Sequence, residues 1–157
     1  FENYDEAPTN SLLYSLSIGA YSMGNLNAAA FNLPLNHKVF LAQFDAIKKL
    51  AEQGGCVIVG RCADYALANY PHLVNVFIYA DIKKRAARVA EYEGIPLKEA
   101  EERALKTDKK RASYYNFYSN KKWGAVESYH LSVDSGAINL DNTARLILDF
   151  AQMKDPV

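Results

Sequence analysis

Residues 54–67 read GGCVIVGRCADYAL: two glycines, the apolar string Cys56-Val57-Ile58-Val59, then Gly60 and a cation, Arg61. The string is continuous and β-branched, the pattern of a strand covered on both faces in a parallel sheet. In an open parallel sheet, ligands bind beyond the carboxyl ends of the strands. Arg61 is expected at such an end. Gly60 lets the backbone turn closely past a ligand, and a guanidinium just outside a dry strand can grip phosphate through two parallel hydrogen bonds. An arginine ion-paired to a neighbouring helix fits the local sequence equally well. Asp64 fits three roles: orienting Arg61, binding a sugar hydroxyl, or capping the helix that follows.

Outward from this stretch, helices and strands alternate. Upstream, Phe40, Leu41, Phe44, Ile47, Leu50 and Ala51 recur at helical spacing, which predicts a helix over 36–53 with Asn36 as N-cap and Gly54 as the stop. Downstream, Ala63 to Tyr70 reads as a helix ended by Pro71, and Val74 to Tyr79 as a second strand. Asp81 is placed to cap a helix that runs to Glu93 and stops at Gly94, and another helix starts near Pro96 and continues at least to Thr107. His130 to Val133 reads as a short strand, and Asp141 as the start of a last helix. Strands alternating with helices argue for a parallel α/β sheet. Residues 1–34, acidic at the start and then rich in Asn, Ser, Gly and Tyr, show no firm periodicity.

Composition bounds the function classes. The chain has 157 residues, half of them hydrophobic, which suits one globular domain. Lys plus Arg equals Asp plus Glu at 18 each, so no strong overall field favours nucleic acid or an anionic membrane. Phosphate-binding charge must be local. Two cysteines, Cys56 and Cys62, make neither a C-x-x-C pair nor a disulfide framework, so a reduced, cytoplasmic setting is expected. No apolar run is long enough to span a bilayer and no signal-peptide pattern is present, so no membrane role is expected.

The local charge sits in Lys106-Thr107-Asp108-Lys109-Lys110-Arg111, four cations against one anion. On a helix, Lys106, Lys109 and Lys110 share one face and Arg111 borders it. Such a face can clamp polyphosphate, or it can simply be solvated. The rings that follow, Tyr114, Tyr115, Phe117, Tyr118 and Trp123, make a single-stranded nucleic-acid surface a second reading, with cations on phosphates and rings on bases. Gly19 to Gly24 has the glycine spacing of a phosphate-binding P-loop but continues Asn25-Leu26 where Lys and Ser/Thr are required, so it reads as a turn. His37, His72 and His130 have no metal-ligand spacing, and no metal site is expected.

Four segments, VIVGRCADY (57–65), NVFIYADIKKRAARV (75–89), KTDKKRASYYNFY (106–118) and LSVDS (131–135), resemble in order and spacing the cytidylate kinase-like family of P-loop nucleoside monophosphate kinases. NSLLYSLS (10–17) extends the resemblance towards the N-terminus. It implies a single kinase-like α/β domain over 1–157, with a three-layer parallel sheet flanked by helices, a lid over 94–125 and an acceptor-binding region over 1–35. It also implies ATP and Mg2+ as cofactors, small nucleotides as partners, and phosphorylation of a nucleoside monophosphate, with CMP or dCMP the first choice. Position by position, Arg61 matches the arginine that binds the acceptor, and Lys106 to Arg111 match the basic end of the lid, with Lys109 and Arg111 catalytic and Lys106 and Lys110 on substrate. Asp134-Ser135-Gly136 would approach the loop beside the donor's adenine.

Two departures stand out. Cytidylate kinases commonly have Gly-Arg-Asp where this chain has Gly60-Arg61-Cys62, with Asp64 as the nearest substitute carboxylate. Nothing before residue 36 supplies the family's first strand, P-loop and helix, and the first residue is Phe1, so an N-terminally incomplete kinase domain is expected. The alternatives are a kinase-like nucleotide binder without turnover, a kinase of another small acceptor, and the single-stranded nucleic-acid module.

Overall fold

A computed structural model describes residues 35–154. In chain order the elements are α1 (Leu35–Glu52), α2 (Ala63–Ala66), β1 (Val76–Tyr79), α3 (Ile82–Glu93), α4 (Leu97–Ser119), β2 (Leu131–Asp134), α5 (Ser135–Ile138) and α6 (Leu140–Lys154). The chain forms two compact units, one within Phe1–Asn69 and Ser113–Asn120, the other within Tyr70–Ala112 and Lys121–Val157. Helix α4 contributes its first four turns to the second unit and its aromatic end to the first.

In the first unit, α1 buries His37, Phe40, Ile47 and Ala51, whose spacings of three, seven and four residues put them on one helical face. The helix stops where Gly54, at φ +121°, donates its N–H to the Ala51 carbonyl at 3.3 Å. Asn36 lies inside the helix, where its Oδ1 accepts from the neighbouring His37 N–H, so it is not the expected N-cap. Against α1 the end of α4 packs its rings: Tyr118 stacks on Phe40 at 4.0 Å between centroids, and Tyr114 and Phe117 lie 4.7 and 4.9 Å from Tyr118. His37 sits edge-on to Phe117 and Tyr118. Tyr118 is only 1% exposed.

In the second unit, β1 and β2 run parallel, Val76 opposite Leu131 and Tyr79 opposite Asp134. Just before the ladder, the Asn75 carbonyl accepts from the His130 and Leu131 N–H groups, the Asn75 N–H donates to His130 Nδ1, and the Asn75 amide donates to the Ser128 carbonyl. Helix α3 is capped as expected: Asp81 accepts from the Lys83 N–H at 2.9 Å, and Gly94 closes the helix at φ +67°. Ala86, Ala100 and Val133 are buried in this unit, and Phe77 packs against Tyr129 and Trp123.

Three expectations change. Cys56–Val59 joins no ladder among the described residues, and Val57 and Val59 are 94% and 87% exposed. The side chains suit a strand buried on both faces, but a strand needs a neighbouring backbone to pair with, and the described residues offer none there. Among the described residues the sheet is accordingly a two-stranded parallel one within a mixed α/β chain. The predicted helix 63–70 is a single turn, and the last helix is capped by Asn139, whose Oδ1 accepts from the Asn142 N–H at 2.9 Å, with Asp141 in its first turn. The predicted turn at Gly19–Gly24 and the acceptor-binding region over 1–35 lie almost wholly outside the described residues.

Candidate functional site

Gly60, Arg61 and Cys62 follow one another in the left-handed region, at φ +70°, +57° and +53°. The Ala63 N–H closes this turn on the Gly60 carbonyl at 3.1 Å. For a residue with a Cβ that region costs roughly 1–2 kcal/mol, so Arg61 and Cys62 hold a conformation that their surroundings must impose. Strain of this kind gathers where a chain must present a side chain in one direction.

Cys62 is the anchor of the turn, only 3% exposed. Burial pushes its thiol up to about 12, the Asp64 carboxylate adds to the rise, and Arg61 opposes it. A neutral thiol fits there. A carboxylate at this position would be buried at a desolvation cost of several kcal/mol. Arg61 is half-buried, with Nη1 shielded from water. Asp64 lies in the first turn of α2 instead of capping it, and its Oδ2 accepts from the Tyr115 hydroxyl at 2.7 Å. The structure therefore brings Arg61, Cys62, Asp64 and Tyr115 together in the first unit. Tyr118 lies near the Cys62 thiol: burial, then that thiol, pushes its phenol up to about 12.

The basic run lies on α4, in its second-unit part, and Lys106, Lys109, Lys110 and Arg111 are all exposed. The one anion of the run is turned to another partner. Asp108 accepts from Arg85 Nη1 at 2.8 Å, while Arg85 Nε donates to the Ala80 carbonyl. Arg103, one turn earlier, pairs with Glu93 and Glu99. What remains on the exposed stripe is four cations, a local positive field on a chain of zero net charge.

Asp134, Ser135 and Gly136 form a helix start. Asp134 Oδ1 caps the Gly136 N–H at 2.8 Å, and the Ser135 hydroxyl donates to the Tyr79 carbonyl. Three cations of α3 that the sequence did not single out meet these residues or α4. Arg88 donates to the Ser135 hydroxyl and carbonyl, Lys84 to the Gly136 carbonyl at 2.7 Å, and Arg85 to Asp108. Their signal was present in KKRAAR (83–88), where Lys84 and Arg88 stand one helical turn apart. A Cβ at Gly136 would stand 2.9 Å from Lys84 Cδ and 3.0 Å from Asp134 Oδ1, so a larger residue there would displace the Lys84 and Asp134 side chains.

Among the described residues no group of three His, Cys, Asp or Glu side chains could hold a metal ion, and no helix is long and apolar enough to cross a membrane. Tyr114, Tyr115 and Tyr118 are buried, so three of the five rings read as a base-stacking surface belong to the core.

A family model described as the cytidylate kinase-like family matches residues 1–137. Among solved structures, the crystal structure of an uncharacterized protein from Eubacterium ventriosum ATCC 27560 is similar, with 32% identity, a TM-score of 0.72, and coverage of 79% of this chain and 70% of that one. The comparison with curated proteins gives no match.

Proposed function

The chain belongs to the cytidylate kinase-like family, and on that premise we propose that it takes part in transfer of the ATP γ-phosphoryl group to a nucleoside monophosphate, CMP or dCMP being the first candidates. The family itself points to a nucleotide kinase. The observation that carries the reading within this chain is the strained Gly60-Arg61-Cys62 turn, which holds a half-buried arginine in a left-handed backbone. Arg61 is assigned to the acceptor phosphate and Asp64 to the acceptor nucleoside. Lys106 and Lys110 are assigned to substrate phosphates, Lys109 and Arg111 to the transferring group, and Asp134, Ser135 and Gly136 to the edge of the donor site.

Phosphoryl transfer asks little covalent chemistry of the protein; it needs alignment and cations that neutralise the spread charge. The α4 stripe supplies four such cations with no carboxylate interposed. ATP is taken as its magnesium complex, in which the metal is held chiefly through phosphate oxygens. Asp108 acts through Arg85, holding α4 to α3 while leaving the stripe cationic.

The test is ADP release by the full-length gene product across nucleoside monophosphates. Turnover with at least one is expected. Folded protein that turns over none of them sinks the reading, and binding without turnover would make it a nucleotide binder instead. Arg111→Ala is expected to cost about 2–4 kcal/mol in transition-state stabilisation, the range for one preorganised donor; an unchanged kcat removes Arg111 from the mechanism.

A further inference from the structure

We propose that Tyr115 is a positioning residue for acceptor recognition: its phenol aims the Asp64 carboxylate so that it receives a hydrogen-bond donor of the acceptor nucleoside, either an amino group of the base or a ribose hydroxyl. The assignment rests on the acceptor-site reading of Arg61 given above. An ionised carboxylate only accepts, so what it selects in a ligand is a donor.

Asp64 needs an external hold. It sits in a helix of four residues entered from three left-handed ones, and one helical turn has almost no stability of its own. Tyr115 has that hold to give. It is 7% exposed, it lies near the end of a helix of 23 residues, and its carbonyl accepts from the Ser119 hydroxyl at 2.6 Å. Its neighbours Tyr114 and Tyr118 are locked in the ring cluster with Phe40, and the Tyr114 hydroxyl donates to Gln43. A phenol donating to a carboxylate makes a short, charge-assisted bond, and the 2.7 Å separation fits one. The aromatic core would accept phenylalanine at this position as well as tyrosine; the hydroxyl is what reaches Asp64.

The experiment titrates the full chain, as wild type, Tyr115→Phe, Asp64→Asn and the double variant, with CMP, dCMP, UMP and ATP by calorimetry. Tyr115→Phe keeps the ring and so keeps the packing. It is expected to weaken acceptor binding about tenfold, the scale of one charge-assisted hydrogen bond, while ATP affinity stays within about twofold. The double variant is expected to bind acceptors no more weakly than Asp64→Asn alone, because the two residues act as one unit. A loss with CMP and dCMP but not UMP assigns the donor to the base amino group; a loss with CMP and UMP but not dCMP assigns it to the 2′-hydroxyl; a loss with all three assigns it to the 3′-hydroxyl. Acceptor affinity unchanged in Tyr115→Phe, a parallel loss of ATP affinity, or additive losses in the double variant overturns the proposal. Wild-type protein that binds none of the acceptors overturns the acceptor-site reading itself and this assignment with it.

Discussion

Arg61 illustrates how a single residue can carry opposing demands. Its backbone prefers glycine and its side chain does not. Arg61→Gly is therefore expected to be more stable than Arg61→Ala by about 1 kcal/mol, because only the alanine retains the left-handed penalty; chemical denaturation of the two variants measures the difference. Both should lose acceptor affinity. The two thiols offer a second check. Cys56 is exposed and Cys62 is buried with its thiol pushed up to about 12, so a thiol reagent near neutral pH should label one cysteine quickly and the other only after unfolding. Two fast thiols would contradict the buried anchor. At this scale, the turn at Gly60 was legible because glycine takes a left-handed φ without a steric cost. The Asp64–Tyr115 bond was not, because it joins residues 51 apart in sequence and no local pattern encodes the meeting.

At the scale of elements, caps and helical spacing carried over well. Asp81 and Gly94 bound α3 as the sequence predicts, since both signals act on the backbone beside them. Asp81→Ala is expected to cost about 1 kcal/mol, read as a lower midpoint in urea. At the last helix the spacing was right but the cap belonged to Asn139, two residues before Asp141, because Asn tolerates the φ of +59° found there. The strand at Cys56–Val59 marks the limit of such reading. A helix satisfies its own backbone, whereas a strand depends on a partner that may be distant in the chain. The single turn Ser135–Ile138 was not legible, because a four-residue helix is too short to show a period. The Arg85–Asp108 pair, with side chains 31% and 23% exposed, should show a coupling of no more than about 1 kcal/mol in a double-mutant cycle.

At the scale of the whole molecule, three perturbed groups among the described residues set a pH range. Cys62 and Tyr118 have folded values raised to about 12 from 9.0 and 10.0. The stability they contribute is complete below about pH 9 and falls as pH rises towards 12. His37 is lowered by burial from 6.5, so its contribution is lost as pH falls below that value. Urea midpoints should form a plateau between about pH 6.5 and 9, and Cys62→Ala should delay the alkaline decline. A midpoint still rising at pH 11 would contradict the burial of both groups. The parallel pairing of β1 with β2 also has a kinetic side. Its first contacts, Asn75 with His130, lie 55 residues apart in the chain, so the loop that contains α3 and α4 must close before one ladder bond forms. Helices assemble from near neighbours and should come first, with the strands zipping late. Shortening Val133, buried in β2, should therefore hasten unfolding far more than it slows refolding, which a stopped-flow chevron would display as a shift of one arm alone.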